Sequence, residues 1–216
     1  PQNSLKAVLP VPPTSINLSM KILVKEKKDL SDVLLPMLRQ RWSPRAFADR
    51  EVSDEILHRL FEAARWAPSS ANEQPWHFVY AKRQDTAEFE TLLSCLNPSN
   101  QRWVKDAQVI VLTIASTIFE KNQKPNPHAW HDVGQAAAHL TIQAMAEGIY
   151  LHQMAGYDAE KTKQTFHIEG NFEPVTFWAM GYLGEAENLT DDLRERELKP
   201  QQRKAQEEFV FKGKWK

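Results

Sequence analysis

The run Ala107-Gln108-Val109-Ile110-Val111-Leu112-Thr113-Ile114-Ala115 constrains the fold more than any other segment. It is nearly continuous in apolar, largely β-branched residues and lacks the alternation of a strand with one wet face. Such a run reads as a central strand, mid-sheet and covered on both faces. Any architecture for this chain has to provide that cover.

Helical patterns flank the run. Asp32 to Arg39 carries Val33, Leu34, Leu35, Met37 and Leu38, and Pro36 predicts that this helix is short or begins late. It would deliver Arg41 at its C-terminal end. Ser53 is an N-cap candidate, followed at helical spacing by Ile56, Leu57, Leu60, Phe61 and Ala64, with Pro68 as the stop. Trp76 to Tyr80 reads as a strand. Asp85 and Glu88 resemble a capping pair opening a helix that holds Cys95 among Phe89, Leu92, Leu93 and Leu96. From Asp132 to Glu147, Val133, Gly134, Ala136, Ala137, Ala138, Leu140, Ile142, Ala144 and Met145 predict a long helix closed by Gly148. Its small residues on several faces place it deep in the core or at a subunit interface. Val175 to Gly184 is a further strand ending in a glycine turn. The charged C-terminal stretch finishes with Phe209, Val210, Phe211 and Trp215, which are expected to pack, with a partner subunit as one candidate surface.

The chain has 216 residues, 42% hydrophobic and 25% charged, with a net charge of -1, which fits one globular domain with or without an arm. That balance leaves no basic footprint for nucleic acid, and Arg39, Arg41, Arg45 and Arg50 are too few for a duplex. The lone Cys95 reads as a buried, reduced residue. No apolar run reaches the roughly 18 residues that span a bilayer, and no signal-peptide order is evident, so a cytoplasmic location is expected. Residues 1–19 contain Pro10, Pro12 and Pro13 and little periodicity, and Met20 is a candidate native start. The expected division is an N-terminal arm or extension over 1–30 and a single domain over 31–216.

Two segments carry the chemistry. Arg41-Trp42-Ser43-Pro44-Arg45-Ala46-Phe47 offers two guanidinium groups with a hydroxyl midway, which suits a phosphate because arginine makes planar, charge-assisted, often bidentate bonds. Ala67-Pro68-Ser69-Ser70-Ala71-Asn72-Glu73-Gln74-Pro75-Trp76 is rich in turn formers and sits after a helix, where ligand contacts tend to gather. Together these segments resemble the FMN-dependent nitroreductase family. Its members carry an Arg-x-Ser-x-Arg/Lys-x-Phe segment and then a Pro-Ser-Ser-x-Asn-x-Gln-Pro-Trp segment after the next helix. The likeness extends more loosely from about Leu34 to Trp215.

The resemblance implies an α+β, nitroreductase-like three-layer fold. Its central sheet would be mixed, largely antiparallel and flanked by helices, with the C-terminal segment exchanged across a homodimer. It also implies that Arg41, Trp42, Ser43 and Arg45 contact the FMN phosphate, ribityl chain and pyrimidine edge, with Arg203 completing the phosphate site. Family members often carry two basic residues two apart in that late segment. Here the first is Gln201, and Lys204 is a candidate to compensate. Asn100 matches a family asparagine that binds the flavin. Met154, Ala155 and Gly156 match a loop whose backbone N–H groups face flavin N5. Pro68, Ser69 and Ser70, with Asn72 beside them, match a loop that reaches the ring from the second subunit.

The activity implied is a ping-pong transfer. NAD(P)H reduces the flavin at N5, and an electron-poor acceptor such as a nitroaromatic or quinone then takes the electrons. The flavin carries this chemistry, and no protein nucleophile is required. Arg45 would stabilise the charge on reduced flavin. Consistent with this, the chain has no GxGxxG, GxSxG, CxxC or P-loop. His128 and His131, beside Asp132, have metal-like spacing but no third ligand, so they read as a feature of the active-site rim and no metal is expected. Trp42, Trp66 and Trp130 are candidates to line a pocket, and residues 117–131 to form its lid. Rival readings are a specialised relative, such as a reductive dehalogenase or flavin-consuming enzyme, and a flavin-binding protein without turnover.

Overall fold

A computed structural model describes residues 34–215. The expected arm over 1–30, the Met20 start and the opening of the first helix at Asp32 and Val33 lie outside the described residues. The elements in chain order are α1 (Pro36–Gln40), α2 (Asp54–Arg65), β1 (Trp76–Lys82), α3 (Thr86–Ser94), α4 (Pro98–Val104), β2 (Val109–Ser116), α5 (Ala129–Ala146), β3 (Ile149–Met154), α6 (Ala159–Phe166), β4 (Phe172–Tyr182) and α7 (Asp191–Leu198).

The sheet has four strands in the order β1-β2-β4-β3, so β2 is interior as its unbroken apolar run requires. All three pairings are antiparallel, and the parallel component expected of a mixed sheet is not found among the described residues. Alternate side chains of a strand point to opposite faces, and here both faces are covered. Ile110, Leu112, Phe177 and Ala179 pack with Phe89 and Leu92 of α3 and Trp103 of α4. Val109, Val111, Trp178 and Met180 pack with Leu57 and Leu60 of α2 and Ala136, Leu140 and Ala144 of α5. The result is an α+β fold of three layers: α2 and α5, the sheet, then α3 and α4.

Local chemistry explains most boundaries. Pro36 occupies the first turn of α1, where its missing N–H costs nothing. Ser53 Oγ accepts from Ile56 N at 3.4 Å and caps α2. Gly148, at φ +74°, closes α5 in the left-handed region that favours glycine. Ala136, Ala137 and Ala144 of α5 are buried because small side chains let α2 approach it closely, while Ala138 and Ala146 are exposed. Two expectations need correction. Asp85 does cap α3 by position, but its carboxylate accepts from Lys82 N at 3.2 Å within a tight turn, and no side-chain cap bond forms. Cys95 is buried as predicted, yet it terminates α3 instead of lying inside it.

The segment after α1 wraps the sheet edge formed by β3. Trp42 packs edge-on to Tyr150, with Met145 in the same cluster. Further along, Ala48 N donates to Tyr182 O at 2.9 Å and Gly184 N donates to Ala46 O at 3.0 Å. The approach is close enough to require glycine, because a Cβ at Gly184 would lie 2.5 Å from the Phe47 carbonyl carbon. The segment bearing Arg41 and Arg45 is thus fixed at both ends. In the C-terminal tail Phe211 is half-buried, whereas Phe209, Val210 and Trp215 are 58%, 61% and 79% exposed.

Candidate functional site

Arg41 is the C-cap residue of α1, where Pro36 and the short helix place it as expected. Its guanidinium lies near that of Arg203, from the far end of the described chain. Burial and the Arg203 cation, in that order, lower the Arg41 pKa. Two cations that act on one another repel, and an anion bound by both would relieve the repulsion. Ser43 adds a hydroxyl, which accepts from Arg41 Nη1 at 3.5 Å. Gln201, two residues before Arg203, has a buried Oε1 with no hydrogen-bond partner. The two guanidinium groups and the Ser43 hydroxyl are donors that fit a phosphate, and the Gln201 oxygen is an acceptor that could take a hydroxyl of a chain attached to it.

Arg45 stands four residues on. Burial lowers its pKa, the Glu197 carboxylate opposes that, and the Arg196 cation adds to it. Its guanidinium carbon lies 5.9 Å from the centre of the Trp103 ring, and Trp103 in turn lies 4.6 Å from the ring of His152. His152 Nδ1 is 2.9 Å from Pro44 O. Burial, with the Arg45 cation as a lesser cause, pushes the His152 pKa down to about 4, against Pro44 and Ser43 carbonyl bonds that raise it. The ring is therefore neutral at pH 7 and donates Nδ1–H to the Pro44 carbonyl.

This has a consequence for stability. The folded pKa of His152 lies below its ordinary 6.5, so the folded chain binds fewer protons than the unfolded one. The contribution is complete above about pH 6.5 and is lost as pH falls towards about 4, by at most about 3 kcal/mol. Denaturant titrations across that window should show the loss, and His152→Gln should flatten it.

The candidate flavin contacts near N5 adjoin the same cluster. Asn100 lies in α4, and its Nδ2 donates to Gly156 O at 2.9 Å. A Cβ at Gly156 would lie 2.7 Å from that Nδ2, so the glycine lets the two segments meet. His152 to Met154 are not loop: they belong to β3, where Met154 pairs with Phe177, and only Ala155 and Gly156 lie past its end. The Trp42 ring is buried with Met145 and Tyr150, while Lys204 is exposed. Trp66 and Trp130 are also exposed, at 71% and 50%.

The second segment is anchored elsewhere. Ser70 to Asn72 form a short turn in which Ala71 and Asn72, with Gln74 just beyond, have φ of 55°, 57° and 54°. For residues other than glycine this left-handed conformation costs on the order of 1 kcal/mol each. Ser69 Oγ accepts from Gln74 N, and Ser70 N donates to the buried Asp132 Oδ2 at 2.9 Å. The other oxygen of Asp132 lies 3.1 Å from His131 Nδ1. His131 and His128 thus open α5 beside the Pro68–Asn72 loop, and no group of three His, Cys, Asp or Glu among the described residues could hold a metal. The expected lid is tied to this loop, since Glu120 N donates to Glu73 Oε1 at 2.6 Å.

A family model described as the nitroreductase family matches residues 38–182. The chain belongs to the nitroreductase family. A relative from Ralstonia nicotianae, provisionally named an NADH dehydrogenase/NAD(P)H nitroreductase, is 29% identical over 168 residues, covering 69% of this chain and 85% of its own. A similarly named relative from Methanothermobacter thermautotrophicus is 26% identical over 183 residues, covering 82% and 91%. Among solved structures, an oxidoreductase containing FMN superposes with a TM-score of 0.80 at 33% identity, covering 85% of this chain and 93% of its own. A nitroreductase family protein from Clostridium difficile, at 20% identity and a TM-score of 0.64, shares the fold over 83% of this chain and 97% of its own.

Sequence reasoning missed Glu197 and Asp132, buried carboxylates that hold the backbones of the two segments. For Glu197 one signal existed: it follows Leu193 by four residues and so shares the buried face of α7. No helix among the described residues is long and apolar enough to cross a membrane.

Proposed function

We propose that this chain is an FMN-dependent oxidoreductase that passes two electrons from NAD(P)H to an electron-poor acceptor such as a nitroaromatic or quinone, working as a homodimer. The observation that carries this reading is the Arg41–Ser43 pair, a half-buried guanidinium donating to a hydroxyl at 3.5 Å, on which the cation of Arg203 also acts from the other end of the described chain. The FMN in a structurally similar oxidoreductase and the NAD(P)H in the names of relatives support it.

Bound FMN would supply hydride acceptance and two-electron delivery. Arg41, Ser43 and Arg203 hold the phosphate, with Lys204 and Trp42 flanking them in sequence. Arg45 places a cation where negative charge accumulates, and such preorganised charge needs no rearrangement as electrons arrive. Neutral His152 holds the Pro44 carbonyl and keeps the Arg41–Arg45 backbone in one shape. Asn100, Met154, Ala155 and Gly156 line the ring edge, and Pro68, Ser69, Ser70 and Asn72 approach from the other subunit.

A visible spectrum of the chain after incubation with FMN and removal of unbound flavin tests the first half. Retained flavin absorbance at about one FMN per chain is expected, and its absence refutes the reading. Anaerobic NAD(P)H oxidation with a panel of acceptors tests the second. Retained flavin that NAD(P)H cannot reduce would leave a binding protein and refute the enzyme.

A further inference from the structure

The Glu197 carboxylate is fully buried, yet its short bonds do not go to the nearby arginine. Arg45 N donates to Oε1 at 2.9 Å and to Oε2 at 3.0 Å, and Ala46 N donates to Oε1 at 3.2 Å. The Arg45 guanidinium stands off at 3.8 Å from Oε2. A carboxylate that quenched this arginine would engage it bidentately at roughly 2.7 to 2.9 Å. Here the short bonds to the Arg45 and Ala46 main chain are made ahead of the one to the Arg45 guanidinium, and the arginine charge is steadied but not consumed.

We propose that Glu197 is a positioning residue for the flavin site: it clamps the Arg45–Ala46 backbone so that the Arg45 guanidinium is presented to the ligand. The inference rests on the FMN reading. Burying a carboxylate is costly unless donors surround it, and α7 supplies this one opposite two backbone N–H groups that have no helix or strand to satisfy them. An amide cannot substitute. Glutamine offers one acceptor oxygen and one NH2 donor, so its NH2 would face a backbone N–H or the arginine. The Arg45 backbone would lose its anchor while side-chain volume stayed the same.

The test is a double-mutant cycle with Glu197→Gln and Arg45→Ala, read by FMN affinity, by the midpoint potential of bound flavin, and by amide hydrogen exchange of Arg45 and Ala46 without flavin. Glu197→Gln is expected to weaken FMN binding roughly tenfold, to make the potential more negative, and to speed exchange at those two amides. In the Arg45→Ala background it should cost little further affinity and leave the potential where Arg45→Ala put it, because the side chain it positions is gone. Additive losses in the cycle would mean that Glu197 supports the fold independently of Arg45 and would overturn the proposal. So would unchanged affinity and exchange in Glu197→Gln. A wild-type chain that binds no FMN would instead refute the flavin reading and this inference with it, and the exchange data would still report whether the clamp exists.

Discussion

Replacing Arg41 with alanine is expected to weaken FMN retention by about ten- to a hundredfold, and replacing Arg203 to weaken it in the same direction, with the fold intact in both. Each change removes a charge-assisted bond to phosphate, worth roughly 1.5 to 3 kcal/mol. Arg41 should show the larger effect. Its guanidinium is partly withdrawn from water, whereas Arg203 is exposed and its interaction is screened. Neither side chain belongs to a core cluster, so thermal unfolding of the flavin-free variants should match wild type. Lys204→Ala serves as a comparison: it is exposed and should weaken binding less than either arginine change. Equilibrium dialysis gives the result directly. Undiminished retention in both arginine variants would sink the phosphate assignment.

How much of this was legible in the sequence follows from where each side chain found its partners. The β2 run declared itself because a strand buried on both faces must be apolar throughout, and α2 did so because its cap and periodicity are local. The end of β3 read as loop because His152 and Gln153 interrupt the apolar pattern. At a sheet edge such residues are tolerated, and His152 finds its partner in Pro44, far away in sequence. Asp85 kept its place at the head of α3 but gave its carboxylate to a turn, a competition that spacing alone does not decide. The anchoring roles of Glu197 and Asp132 were harder to read. A carboxylate among the charges of α7 reads as solvated despite its place four residues after Leu193, and Asp132 reads as a first-turn residue of α5 beside a histidine pair; only the tertiary fold brings each the backbone donors that allow burial.

Deleting residues 207–216 is expected to break a homodimer and release FMN together. The motif residues in one chain divide between the two faces of the sheet. The Arg45, Trp103 and Asn100 group belongs to the α4 side, while the Pro68–Asn72 loop is bonded to α5 on the other. Both faces are covered, so within one chain the sheet separates the two groups. A second copy would bring its own loop to the first copy's arginines without crossing that layer. The tail provides a means of association, since Phe209, Val210 and Trp215 are exposed and the Phe211 and Trp215 rings meet at 5.0 Å, forming an apolar patch that water does not favour. The truncation leaves Arg203 and Lys204 in place, so lost flavin could not be blamed on a missing phosphate anchor. Sedimentation read alongside flavin fluorescence decides the matter: a truncated monomer that keeps its FMN would refute the shared site.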